Sequence, residues 1–589
     1  MKRKIILFAL LLTFTISAQN RDEWKTRFEK SDYLETETYA ETINYFERLA
    51  EASPFARLQK IGKTPQGRDM HVFIISKGKE FTPEAAKKSG KPVILIENGI
   101  HSGEIEGKDA CMLLAREILI TKEKESLLDS VIILIVPVFN VDGHERRSPY
   151  NRINQNGPKE MGWRVTARNL NLNRDFAKVD TPEMENLLTL FQNWEPDFFI
   201  DTHTTDGADY QYTITYGIET GPNQFYEISE WAEKNFIPFA EKYVEEKGFL
   251  IMPYVGFAGK ELKDGVRKWV PGPRFSNGYA AVMNRPGLLI ETHMLKPYKE
   301  RVFSTKALLE AVIITVGENA GKLKEINKNA DEYAAKAYCG GGKYYPLKFR
   351  AAKKTSDSID YKGYKYSDEF SELANGKIRR YSKNKLNLTI PFYDKIEITD
   401  SVRLPCEYLI PQEWSEIIRR MKFHGIESRR LEKTEKFIVE KYKFKNVEFS
   451  SFPYEGRFSP KYEYDVLIDT VEVPAGTFVV PTNQKSVGMI AHLLEPKARD
   501  SFLKWGFFNA IFERKEYFEM YSMEPIARKM YESNPELKKE FDAKVASDST
   551  FAKNPRARLN WFYERSPYLD DHWNVYPVMR VVEKLNEQK

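Results

Sequence analysis

The sequence predicts an α/β fold in which a central sheet is flanked by helices and followed by a β-rich and then a helical region. Three observations carry that prediction. Apolar runs of strand length recur between residues 70 and 291, stretches of helical periodicity separate them, and the composition shifts after residue 342. Hydrophobic residues make up 42% of the 589, which suits filled cores and excludes a disordered or fibrous chain.

In chain order, residues 1–18 read as a secretory leader. Lys2, Arg3 and Lys4 form a basic start, the apolar run 5–16 is broken only by Thr13 and Thr15, and Ser17 and Ala18 are small enough for cleavage. The run is shorter than the roughly 20 residues that cross a bilayer. The expectation is therefore an exported chain, periplasmic or extracellular, with no stable membrane insertion once the leader is removed. Three of the positive charges in the net +5 lie in that leader. The remaining charges are nearly balanced and interspersed, which gives no footprint for nucleic acid.

Residues 20–338 carry the alternation. Strands are expected at 70–76, 93–98, 131–139, 197–202 and 287–291, all rich in Ile, Val, Leu or Phe as in strands buried on both faces. Helices are expected at 104–119, 182–193 and 302–336. Cys339 and the glycines at 340–342 mark a boundary. Residues 343–485 read as a β-rich accessory region with strands at 386–391 and 464–473 and a helix at 413–423. Residues 486–589 read as helical, with helices at 500–512 and 516–523, the second ending before Pro525. Of three cysteines, Cys111 lies in an apolar stretch and reads as a buried thiol, while pairing of Cys339 with Cys406 is left open.

Four clusters carry chemistry. His101 and Glu104 follow the strand at 93–98, three residues apart, so a tight turn brings both to one point. His203 follows the strand at 197–202. Two histidines and a carboxylate suit zinc and leave it an open position for water. Glu291 ends an apolar strand, where partial desolvation fits it to accept a proton. Asn173 and Arg174 follow an asparagine ladder, and a guanidinium fork suits a carboxylate. Each cluster alone has an ordinary reading as a cap, turn or surface residue. Sites in open α/β sheets form at the carboxyl ends of strands, where such residues converge.

Taken together, these clusters resemble the carboxypeptidase A-like zinc metallocarboxypeptidase family, in the order His-x-x-Glu, Asn-Arg, a lone His and a late Glu. Ile61-Gly62, Gly67-Arg68 and Pro137 with Asn140-Val141-Asp142-Gly143 add to the likeness, which covers residues 35–335. The resemblance implies a mixed, mostly parallel sheet and one zinc held by His101, Glu104 and His203. It implies that Glu291 takes a proton from the attacking water and hands it to the leaving amine. Asn173 and Arg174 would grip the free C-terminal carboxylate of a peptide or protein substrate. Arg164 resembles the arginine that stabilises the oxyanion, with Arg152 as competitor. Ser102-Gly103 stand where the family often has an arginine between its ligands, and Asn171 stands where an Asp usually supports the first histidine. The cleft tyrosine has no assigned position, since Tyr279 is too close to Glu291 in sequence.

The resulting expectation is a zinc metallocarboxypeptidase. The alternatives are a peptidase of the same fold acting on γ-linked or D-residue cell-wall peptides, and a non-catalytic zinc- or peptide-binding protein. The preferred terminal residue and the oligomeric state are not encoded in any motif.

Overall fold

The computed structural model describes residues 22–339 and 342–585, so the leader lies outside the described residues. The chain forms two compact units. The first runs to Cys406 and adds Ser415–Ser428 and Val480–Ser501; the second comprises Glu407–Trp414, Arg429–Val479 and the chain from Phe502. The composition shift at 343 therefore falls within the first unit.

The first unit is built on an eight-stranded sheet. Its strands are β1 (Ala56–Lys63), β2 (Asp69–Ile75), β3 (Val93–Asn98), β4 (Ile132–Val136), β5 (Phe198–Thr205), β6 (Ile214–Ile218) and β7 (Ile251–Pro253). After the short β8 (Val255–Phe257) and β9 (Val266–Lys268), which belong to another sheet, β10 (Gly287–His293) completes it. The spatial order is β1-β2-β4-β3-β5-β10-β6-β7. The central run β4-β3-β5-β10 is parallel, as is β6 with β7, while β1, β2 and the β10–β6 junction are antiparallel. The sheet is thus mixed and mostly parallel. Every residue of β3, β4, β5 and β10 is buried, which is why these segments read as continuous apolar runs.

Helices cover both faces. Gly107 of the helix Glu106–Leu119 lies against the Asn98 and Thr202 side chains, and Asn277 of the helix Ser276–Val282 lies against Gly287. In β3, β5 and β10, alternate residues point to opposite faces. The helix expected at 302–336 is two helices, Tyr298–Glu318 and Ala320–Ala337, parted at Asn319. The helix Pro182–Trp194 starts as its sequence suggests, with Thr181 capping Met184 N–H and proline in the first turn.

Beyond this sheet, β11 (Tyr344–Ala351) pairs with β14 (Ile396–Arg403), and the long hairpin β12 (Ser358–Ser371) and β13 (Gly376–Tyr393) joins β9 and β8. A disulfide links Cys339 to Cys406, and Cys111 is a buried thiol. The helix near 413–423 is found at Ser415–Lys422.

A six-stranded sheet of β15 (Glu407–Ile410), β16 (Arg429–Arg430), β17 (Glu435–Phe449), β18 (Pro460–Val473), β19 (Phe478–Pro481) and β20 (Met579–Leu585) belongs to the second unit except for Val480 and Pro481 of β19, which are counted with the first. The second unit's helices Met520–Ser533, Pro535–Ser547 and Pro555–Tyr563 surround a core that includes Phe541, Phe551, Trp561 and Phe562. The helix expected at 500–512 is instead a series of turns with a short 3-10 turn at Asn509–Phe512. The helix expected at 516–523 begins at Met520 and runs through Pro525.

Candidate metal centre and catalytic cleft

Strand β3 ends at Asn98, and Gly99 turns the chain out of the sheet at φ 68°, a left-handed conformation that disfavours a side chain. The segment after β4 holds this turn: Phe139 N–H donates to Asn98 O at 2.8 Å and Asn140 N–H to Gly99 O at 3.2 Å. Ser102 Oγ donates to Asn140 O at 2.6 Å, and Glu104 N–H closes the turn onto His101 O at 2.8 Å. Asp142 accepts from Arg68 at 2.6 Å and Thr64 Oγ1 at 2.8 Å, so the motifs around residues 67 and 140 are joined. The result sets His101 Nδ1 3.3 Å from Glu104 Oε1.

His203 on β5 and Glu291 on β10 are register partners on adjacent parallel strands, so both side chains leave the same face. His203 Nδ1 lies 3.1 Å from Glu104 Oε2. One ligand atom each from His101, Glu104 and His203 lies within 4.8 Å of the others, and all three residues are buried. The outer nitrogens are engaged: His101 Nε2 meets Asn171 Oδ1 at 3.0 Å, and His203 Nε2 meets Asp201 Oδ2 at 2.6 Å. Acceptors at Nε2 place the proton there and leave each Nδ1 lone pair facing the common point. His101 Nδ1 is buried with no hydrogen-bond partner among the described residues. Two imidazole nitrogens, a carboxylate and an orphaned lone pair fit a zinc ion.

The electrostatics suit such a site. Burial pushes the His101 imidazole down to about 4. Burial acts the same way on His203, but Asp201 and Glu104 outweigh it and raise that imidazole well above its ordinary value. Burial works against the ionised form of Glu104, yet Arg152 and both histidines hold it well below the usual carboxylate range. Glu291 is pushed up to about 8 by burial, with Glu104 adding to the rise and His203 opposing it. Its Oε2 is buried without a hydrogen-bond partner among the described residues.

Both candidate arginines reach this cluster. Arg164 Nη1 is 2.9 Å and Arg152 Nη1 2.8 Å from Glu104 Oε1. They differ in freedom. Arg152 is held by Gln155 at 2.6 Å, and Gln155 in turn donates to Gly103 O at 2.8 Å. Arg164 is 44% exposed at its side chain and favours the ionised form of Glu291. Gly103 has a local reason: a Cβ there would lie 2.3 Å from Arg152 Cδ. The aliphatic stem of Arg152 thus fills the space beside Gly103.

Asn171 links His101 to Asn173, because the oxygen that meets His101 also accepts Asn173 N–H at 3.0 Å. Asn173 Oδ1 is buried without a hydrogen-bond partner among the described residues. The Arg174 guanidinium lies 4.5 Å over the Phe275 ring. Tyr279 belongs to the core, packed on Phe176, Phe191 and His424. Two tyrosines feel Glu291: Tyr254, whose hydroxyl is raised first by that carboxylate and then by burial, and Tyr210, raised first by burial and then by the same carboxylate. His293, which had no assigned role, bonds Ala208 O at 3.0 Å and packs 4.3 Å from Tyr210.

Asp201, Gln155 and Tyr254 escaped sequence reading. Asp201 had a usable signal, because two residues before a strand histidine is the same face of the strand. Gln155 and Tyr254 lie on irregular segments with no such signal.

Comparison with known proteins adds the following. The zinc carboxypeptidase family matches residues 42–420. Carboxypeptidase 2 of Trichophyton rubrum is 21% identical over 495 residues, covering 81% of this chain and 85% of the fungal one. Carboxypeptidase D of Mus musculus is 28% identical over 146 residues, 22% of this chain and 11% of the mouse one. Among solved structures, a metallo-carboxypeptidase from Burkholderia cenocepacia aligns with TM-score 0.37 and 16% identity over 48% of this chain and 70% of its own. Carboxypeptidase A from Helicoverpa armigera aligns with TM-score 0.35 and 16% identity, covering 48% and 73%.

Proposed function

The chain belongs to the zinc carboxypeptidase family, and from that membership we propose that His101, Glu104 and His203 hold one zinc ion beside Glu291 as general base. The protein is a metallopeptidase hydrolase that cleaves C-terminal peptide bonds. The observation that carries the residue assignment is the meeting of three buried ligand atoms within 4.8 Å, with Glu291 in register beside one of them.

A zinc ion at this point supplies Lewis-acid polarisation and makes water nucleophilic near neutral pH. Glu291 takes the proton of the attacking water and returns it to the leaving amine. Its raised pKa suits both directions, since a base poised near the working pH also serves as an acid. Arg164, half-exposed beside Glu104, donates to the carbonyl oxygen as negative charge develops. Asn173 and Arg174 clasp the terminal carboxylate by donating their side-chain N–H groups, and the Phe275 ring beneath the guanidinium, which orients it, supports that role. A clamp of this kind confines cleavage to chain ends, so peptides and protein C-termini are the substrates.

Export follows from the leader at 1–18, and the Cys339–Cys406 disulfide is in keeping with an oxidising compartment. Among the described residues, no helix is long and apolar enough to cross a membrane.

The test is Glu291→Gln. It is expected to retain one zinc per chain by elemental analysis while kcat falls roughly 10²–10⁴-fold. Full activity would remove Glu291 from the mechanism. Equal cleavage of a peptide and its C-terminally amidated form would remove the clamp.

A further inference from the structure

The first unit contains a second cavity, of about 490 Å³, to which none of the metal-site residues contributes. One part of its lining is a continuous aromatic array. Phe225 and Tyr333 have ring centroids 5.4 Å apart, Tyr333 and Tyr338 6.1 Å, Tyr338 and Tyr345 5.1 Å, and Tyr345 and His492 5.8 Å. Such a wall takes an apolar body, and ring faces attract positive charge.

The polar part of the lining includes Lys348 and Arg499 as well as two acceptors that lack a donor. Asp500 is 1% exposed. Its Oδ1 accepts from Arg274 Nε at 2.5 Å, while its Oδ2 has no hydrogen-bond partner among the described residues. Asn223 Oδ1 is likewise buried and unpaired, its amide nitrogen being spent on Glu219. Buried acceptors are nearly always satisfied in native proteins, and two orphans lining one cavity call for a donor from outside the chain. A group that brings several N–H donors, positive charge and an apolar body answers the aromatic wall and the two unpaired acceptors, while Lys348 is paired with Asp400.

We propose that this cavity is a binding site for a hydrophobic primary ammonium, with Asp500 Oδ2 and Asn223 Oδ1 accepting from the nitrogen and the tyrosine array receiving the apolar body. The volume suits a ligand of the size of one large amino acid. Two sources share this chemistry: a free amino acid, which hydrolysis at a chain end releases, and the N-terminal residue of a peptide. The first source rests on the peptidase reading; the binding itself does not.

Isothermal titration of the full chain with phenethylamine at neutral pH tests the site. Saturable binding is expected, and Asp500→Asn is expected to weaken it at least tenfold. 3-Phenylpropionate, which has a carboxylate in place of the amine, is expected not to bind. Absence of binding, an unchanged affinity in Asp500→Asn, or equal affinity for 3-phenylpropionate overturns the proposal. Because Asp500→Asn also disturbs Arg274, Tyr338→Leu is the second variant, expected to weaken binding at least fivefold at an unaltered thermal midpoint. Glu291→Gln is expected to bind the amine as wild type does. Loss of binding there would move the amine to the metal cleft, overturning this site while leaving the peptidase reading intact. Tighter binding of L-phenylalanine than of its amide supports the free amino acid as the source, and the reverse order supports a peptide N-terminus.

Discussion

Asn171 and Asp201 perform the same task on the two histidines with different chemistry. A carboxylate behind an imidazole raises its basicity, whereas an amide orients the ring and does little more. Asp201→Asn is therefore expected to weaken zinc affinity roughly 10–100-fold in a chelator competition, and Asn171→Asp to strengthen it. An unchanged zinc affinity in Asp201→Asn would show that this contact does not tune the ligand. Outside the cleft, His424 is buried between Ala177 O at 3.1 Å and the Tyr279 hydroxyl at 3.3 Å, and burial lowers its pKa from 6.5 to about 4. Between those values the unfolded chain binds the proton and the folded chain does not. The stability that His424 contributes is complete above pH 6.5 and is lost as pH falls toward 4. The stability gap between wild type and His424→Gln is expected to narrow by about 2 kcal/mol from pH 7.5 to pH 5 in denaturant titrations. A pH-independent gap would mean that His424 titrates normally. At this scale the sequence exposed the residues that motifs mark, His101, Glu104, His203 and Glu291. It concealed Tyr254, whose nearness to Glu291 is made by folding alone.

Elements buried on both faces were the legible ones. The runs expected at 93–98 and 287–291 correspond to Val93–Asn98 and Gly287–His293, because a strand that meets helices above and below must be apolar throughout. The expected helix at 500–512 fails for a local reason. Trp505, Phe508 and Phe512 have helical spacing, but Gly506 adopts φ 77°, and a Cβ there would lie 2.7 Å from Phe458 O. Tertiary packing of the aromatic rings produced the period. The break at Asn319 was hidden because no proline marks it, although the apolar, largely buried helix before it gives way there to a more polar one. Elements approach closely at Gly107, where a Cβ would fall 2.2 Å from both Asn98 Oδ1 and Thr202 Oγ1. Gly107→Val is expected to cost roughly 1–3 kcal/mol of stability by overpacking and to lower zinc affinity, since the same helix follows Glu104. Wild-type stability in denaturant would show that the helix shifts freely.

At the scale of the whole molecule, the disulfide settles a pairing that three cysteines left open. Cys339 and Cys406 are 67 residues apart, and the loop they close contains β11 to β14. Loop-closure entropy for that separation is worth about 4 kcal/mol in the chain-entropy description. Cys339→Ser is expected to lower the unfolding midpoint of the first unit, with zinc content retained because the proposed ligands His101, Glu104 and His203 lie outside the loop. An unaltered midpoint would mean that strand pairing alone holds this segment. The organisation into two units was the least legible feature, since segments of one unit are interleaved with those of the other and composition changes only once. That interleaving has a consequence for biosynthesis. Val480–Ser501 belongs to the unit that contains His101, Glu104 and His203, so a nascent polypeptide cannot complete that unit until residue 501 has left the ribosome. Completion of that unit is then a late event in synthesis, coming after Glu407–Trp414 and Arg429–Val479 of the other unit have already emerged.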